Sequence, residues 1–276
     1  MSANSDSGPP GRIEITFARL KAEGRTGFIA FLTVGYPDVE SALRLVPALI
    51  EGGADIVELG IPFSDPLAEG PTIQRSSYRA LQQGVTPKVC LEVAAKLRAG
   101  GLDAPLVFMG YFNPLLAYGI ESFTRDAASA GADGLIVVDL PPEESGSLRD
   151  ACLANGLRLI YLLAPTSTDE RIKRAAGMGS GFLYCVSLTG VTGARDELAP
   201  DLETFVRRVQ KHTDLPIAVG FGISQRKHFE AVGRIADAAV IGSAIIDEAD
   251  RVGPSEQAAR LREYAEVVTG RRRAAT

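Results

Sequence analysis

At 276 residues and 29.2 kDa, with 46% hydrophobic and 23% charged residues, the chain has the length and composition for one large core or two modest domains. A formal charge of -5 argues against a nucleic-acid surface, because phosphate backbones are bound by concentrated Lys and Arg. No apolar stretch reaches membrane-spanning length, and Met1 to Gly11 carries no basic region followed by an apolar one, so neither a membrane span nor a secretory signal is expected.

In chain order, a polar tail over 1–11 precedes a single domain over 12–270, and a second tail occupies 271–276 with Arg271, Arg272 and Arg273. Short runs rich in apolar and β-branched residues read as strands at Phe28 to Val34, Ile56 to Leu59, Pro105 to Tyr111, Gly134 to Leu140, Leu157 to Leu163, Gly181 to Ser187, Pro216 to Gly220 and Ala238 to Ile241. Continuous apolar character suits strands covered on both faces. Helical patterns lie between them. Thr86-Pro87 reads as N-cap and first helical residue, with Val89, Val93 and Leu97 on one face. Pro47 should delay, kink or split the pattern from Ala42 to Ile50, and Ser167 with Glu170 has capping-box spacing.

Eight strand signals with mostly helical crossovers select a (β/α)8 TIM barrel, which hides both faces and leaves no sheet edge. A doubly wound sheet is the alternative; its best signal, Gly177 to Gly181, precedes a strand instead of following one. Glu51-Gly52-Gly53-Ala54-Asp55 echoes Ser129-Ala130-Gly131-Ala132-Asp133. Such helix-Gly-strand junctions lie on the bottom face of a barrel and speak for architecture.

Cys90, Cys152 and Cys185 form neither a disulfide framework nor a metal pair, which fits a reducing cytoplasm. His212 and His228 show no metal-ligand spacing and read as surface or capping residues. Glu58 and Glu69 flank a loop stiffened by Gly60, Pro62, Pro66, Gly70 and Pro71, an arrangement suited either to an acid and base working on one substrate from two sides or to a charged loop whose acids are solvated or cap turns. Gly-rich turns follow the late strands at Thr189 to Gly193, Gly220 to Ser224 and Gly242-Ser243. Their bare backbone amides, joined by a helix N-terminus if one begins at Ser243, suit a phosphoryl group at Gly193, Gly222, Gly242 and Ser243. Thr189 to Asp196 reads as a lid or as a rigid surface loop; as a lid it brings Thr192 to a catalytic carboxylate.

Glu58 to Pro66 with Gly70-Pro71-Thr72-Ile73-Gln74, Asn113-Pro114, Thr189 to Gly193, Gly220 to Ser224 and Gly242-Ser243 together resemble the tryptophan synthase alpha family, over nearly the full length. The resemblance implies cleavage of indole-3-glycerol phosphate to indole and glyceraldehyde 3-phosphate. It implies proton transfers by Glu58 at the indole carbon and the glycerol hydroxyl. The family's second acid, usually Asp, falls on Glu69, where it accepts a hydrogen bond from the indole N–H. Tyr184 matches the family tyrosine on the sixth strand and approaches the glycerol or an acid, or simply fills the barrel mouth. Phe31, Leu59, Tyr111, Leu135 and Phe221 are expected around the indole, with Asp139 orienting the lid. The resemblance further implies an α2β2 complex with a beta subunit that carries pyridoxal phosphate, none being assigned to this chain. Pro62 to Pro71 and the segment around Asn113-Pro114 would face that partner. An alternative is a phosphate-binding regulatory barrel that chiefly activates the beta partner.

Overall fold

The computed structural model describes residues 10–186, 201–220 and 222–271. Its strands are β1 (Gly27–Thr33), β2 (Ile56–Gly60), β3 (Leu106–Gly110), β4 (Gly134–Val137), β5 in two pieces (Arg158–Ile160 and Leu162–Leu163), β6 (Leu183–Val186), β7 (Ile217–Gly220) and β8 (Ala238–Ile241). Every pairing is parallel, and β1 joins β2 to β8. The interrupted β5 closes the ring: its first piece pairs with β4 and its second with β6. Between the pieces, the Tyr161 carbonyl accepts the Tyr184 N–H at 3.0 Å. The fold is a (β/α)8 barrel. Gly177 and Met178 end the helix Asp169–Met178, so the doubly wound reading fails on context.

Side-chain alternation sorts the strands into two apolar layers. Ile29, Phe31, Ile56, Val107, Met109, Ile136 and Tyr184 fill the barrel, while Ala30, Leu32, Val57, Leu59, Phe108 and Leu135 face the helices. The helix Arg12–Ala22 inserts Ile13, Phe17 and Leu20 into the inner layer, with Phe17 and Phe182 ring centroids 5.6 Å apart. The N-terminal mouth is thereby plugged, which leaves the C-terminal mouth for chemistry.

A repeated tie holds the plugged end. Asp55, Asp133, Ser180 and Asp237 each precede an even-numbered strand, and each donates its N–H to a carbonyl at the start of the preceding odd strand, at 2.8, 2.8, 3.1 and 2.9 Å. Each side chain then accepts the N–H of that same partner residue: Phe28, Leu106, Leu159 and Ile217 respectively. Arg25 adds to Asp55 at 2.7 Å and Arg98 to Asp133 at 2.6 Å. The echo between Asp55 and Asp133 is therefore one visible part of a four-fold register lock. The glycines in it make the turn from helix to strand, Gly53 at φ 120° and Gly131 at φ 85°.

Two local expectations are corrected. Pro47 does not divide its helix, which runs unbroken over Ser41–Gly52; packing of Leu45, Val46, Ala48 and Leu49 into the core offsets the missing amide bond. The helix Asp169–Met178 is capped by Thr168, whose hydroxyl accepts from the Arg171 N–H, and Ser167 instead closes the preceding turn on the Ala164 N–H at 3.1 Å. At Thr86 the expected cap forms, its hydroxyl accepting from the Val89 N–H. All three cysteines are buried.

Candidate active site

Glu58 is the third residue of β2, in register with Phe31 of β1 and Val107 of β3, and all three face the barrel interior. Its side chain is fully buried, and neither carboxyl oxygen has a hydrogen-bond partner among the described residues. Burial foremost, and then the charge of Glu69, push its pKa up to about 8. Glu69 sits beyond the end of the same strand on the pocket wall, where burial raises its carboxyl to about 7.

The loop carrying Glu69 is held at several points. Phe63 exchanges main-chain bonds with the Ser77 hydroxyl at 2.9 and 3.1 Å. The Ala68 N–H donates to the Tyr111 hydroxyl at 3.0 Å, and Phe63 stacks on Tyr111 with centroids 5.0 Å apart. Glu69 itself donates its N–H to the Pro66 carbonyl at 3.0 Å and accepts the Gln74 amide on its own carbonyl at 2.9 Å. Gln74 and Ser77 both belong to the helix Pro71–Gln82, so the loop is fixed to the helix that follows it.

Tyr184 of β6 is buried on the inner layer, and its hydroxyl pKa rises through burial and then through the charges of Glu58 and Glu69. Space for that hydroxyl comes from Gly220 of β7, where a Cβ would lie 2.0 Å from the Tyr184 oxygen. Gly60 does the same for Phe31, whose ring a Cβ would meet at 2.5 Å. The pocket is lined by Phe31, Gly60, Phe63, Glu69, Ile73, Met109 and Tyr111, among others.

Phe31 and Tyr111 thus line this pocket, whereas Leu59 and Leu135 do not. Both project into the outer layer against the helices, because a one-residue step along a strand reverses the face. Sequence reasoning missed Met109, Phe63 and Ile73; the alternation that sends Glu58 inward also sends Met109 inward and was the available signal. Asp139 lies two residues past β4, and its carboxylate accepts the Phe112 N–H at 2.8 Å, which fixes the start of the helix Phe112–Tyr118. Thr192, Gly193 and Phe221 lie outside the described residues.

At the seat expected for phosphate, a helix does begin at Ser243 and runs to Asp250, with Gly242 as its N-cap. Gly222 on the neighbouring turn has φ 77°. A helix start leaves its first main-chain amides without intrahelical partners. His228, expected at the surface or as a cap, is instead buried inside the helix Arg226–Gly233, whose N-cap is Gln225, and its Nδ1 accepts the N–H of Ser224 in the preceding turn at 3.4 Å. Among the described residues no group of three or more His, Cys, Asp or Glu is arranged to hold a metal, and no helix is long and apolar enough to cross a membrane.

A family model described as "Tryptophan synthase alpha chain" matches residues 17–274. The chain belongs to the tryptophan synthase alpha chain family. The alpha chain of Roseiflexus sp. (strain RS-1) is 52% identical over 259 residues, covering 94% of this chain and 99% of that one. A protein of Saccharomyces cerevisiae named tryptophan synthase is 49% identical over 232 residues, which are 84% of this chain and 33% of that longer one. Among solved structures, Mycobacterium tuberculosis tryptophan synthase superposes with a TM-score of 0.86 at 36% identity, covering 94% of this chain and 97% of that one. The alpha subunit from Legionella pneumophila str. Paris gives 0.85 at 35%, over 95% and 99%. The activity is that of a tryptophan synthase alpha chain: a carbon-carbon lyase that cleaves indole-3-glycerol phosphate.

Proposed function

We propose that Glu58 supplies and then recovers the proton of this cleavage, while Glu69 steadies the indole nitrogen. A carboxyl raised to about 8 is largely protonated at neutral pH and is competent to protonate the indole C3. Protonation makes the ring an iminium-like electron sink. The Glu58 carboxylate left behind takes the proton of the adjacent glycerol hydroxyl; the carbonyl forms, the carbon-carbon bond breaks, and its electron pair returns to the ring. Glu69 in its ionised form accepts the indole N–H and stabilises the positive charge that develops there. Phe31, Met109 and Tyr111 supply the flat apolar wall, and Tyr184 borders the glycerol.

The observation that carries this reading is Glu58 itself: a fully buried acid on the inner face of β2, without a polar partner among the described residues, in register with Phe31 of the pocket wall. Such a group costs stability and is retained at functional sites. The phosphoryl group is assigned to Gly222, Gly242 and Ser243. The anion then meets backbone amides and a helix dipole and needs no cation. An unreactive indolyl alkyl phosphate tests this assignment. Ser243→Asp should weaken its binding by at least about tenfold through repulsion, and Glu58→Gln should leave it unchanged; equal binding by wild type and Ser243→Asp would remove the phosphate from this seat.

We also infer an α2β2 assembly with a beta subunit that carries pyridoxal phosphate and consumes the indole. Leu67, 91% exposed on the loop after β2, and Leu116, 53% exposed on the helix after β3, give the active face apolar surface suited to a partner. Co-elution with a beta subunit, lost on Leu67→Asp, is the corresponding test.

A further inference from the structure

The two halves of the assigned phosphate seat, the turn after β7 and the helix Ser243–Asp250, are both anchored to one face of the last helix, Gln257–Thr269. Tyr264 of that helix donates its hydroxyl to the Ser224 carbonyl at 2.9 Å. One and two turns earlier, Arg260 donates to Glu248 at 2.7 Å and Gln257 donates to the Ala249 carbonyl at 3.1 Å. Gln257, Arg260 and Tyr264 are spaced to share a helix face. Glu248, Gln257 and Tyr264 are all buried, so these bonds are shielded from competing water. His228 completes the hold on the turn by accepting the Ser224 N–H. Both peptide groups of Ser224 are therefore held by side chains, the N–H by His228 and the carbonyl by Tyr264.

We propose that Tyr264 and His228 are positioning residues for phosphate recognition: they set the orientation of the Gly222 to Ser224 backbone relative to the amides at Ser243. The proposal rests on the phosphate seat assigned above. Its physical basis is that a turn containing glycine at φ 77° is intrinsically permissive, and backbone amides bind an anion well only when their directions are fixed beforehand. Neither side chain lines the catalytic pocket. Their loss should therefore be felt in binding of the phosphoryl group and not in the proton transfers.

Tyr264→Phe keeps the ring and its packing and deletes one hydroxyl. In the full-length protein it is expected to raise KM for indole-3-glycerol phosphate about fivefold, the size of one neutral hydrogen bond. The inhibition constant of inorganic phosphate should rise by the same factor. kcat and the affinity for a phosphate-free indole analogue should stay within about twofold. His228→Asn, whose amide oxygen stands at the position of the ring Nδ1 and can still accept the Ser224 N–H, should retain most phosphate affinity, and His228→Leu should lose it as Tyr264→Phe does. If Tyr264→Phe leaves the phosphate constant unchanged while Ser243→Asp weakens it, the positioning role is wrong and the seat stands. If Ser243→Asp also has no effect, the seat itself is misassigned and the proposal falls with it. Equal losses for phosphate and for the indole analogue would show general loosening of the barrel and would likewise overturn it.

Discussion

Ionisation of Glu69 raises the pKa of Glu58, where burial is the larger cause, and burial is the cause that raises Glu69. The reactive form needs the proton on Glu58 and the charge on Glu69. With the carboxyls raised to about 8 and about 7, that form peaks between those values. A bell-shaped kcat/KM profile with limbs near pH 7 and 8 is expected, measured as indole release across the pH range. A profile flat from about pH 5 to 9 would show that neither carboxyl controls the reaction.

Removing the charge of Glu69 should move the other limb. Glu69→Gln is expected to lower kcat by about a hundredfold, the order seen when a group stabilising developing charge is lost. The basic limb of its residual activity should shift to lower pH, because the charge that helps raise Glu58 is gone. An unshifted limb would mean the two acids do not sense one another. Glu69→Asp separates a further possibility: a higher lyase rate with unchanged activation of the beta subunit would favour the regulatory reading of this barrel.

The buried Glu58 should also cost stability. Its folded-state pKa lies above that of an exposed Glu, so its contribution is intact at low pH and is lost as pH rises through about 8. Glu58→Gln has no ionisation to suppress and should gain on wild type by roughly 2–4 kcal/mol between about pH 5 and pH 9. Urea denaturation at the two pH values measures this difference. An advantage that does not grow with pH would place Glu58 in a solvated setting.

At the opposite end of the barrel, stability and activity should separate. Asp133→Ala removes the acceptor of the Leu106 N–H and of Arg98 and should destabilise by about 2–3 kcal/mol, the scale of a charge-assisted bond, with kcat and KM unchanged. Comparable kinetic losses in Asp133→Ala and Glu58→Gln would break the division between the two faces.

The barrel was legible because its strands are continuous apolar runs between helical patterns, and closure follows from having enough of them. The helix start at Ser243 and the place of Glu69 beyond β2 were legible because glycines and prolines mark where strands end, whereas Glu58 lies inside β2 and not at its end. Leu59 and Leu135 were misread because apolar runs covered on both sides hide which face points inward; only pairing fixes that phase. The same blindness concealed Met109. Ser180 was invisible as a partner of Asp55, Asp133 and Asp237, since a hydroxyl replaces the carboxylate while the backbone geometry stays the same. Pro47 shows tertiary packing overruling a local rule.

The most direct measurement is single-turnover release of indole from indole-3-glycerol phosphate by wild type and Glu58→Gln, with substrate binding monitored in the same samples. Glu58→Gln is expected to bind normally and to release indole at least about a hundredfold more slowly, since an amide can neither donate the C3 proton nor take the hydroxyl proton. Release at the wild-type rate by Glu58→Gln would contradict the assignment of the proton transfers to this residue.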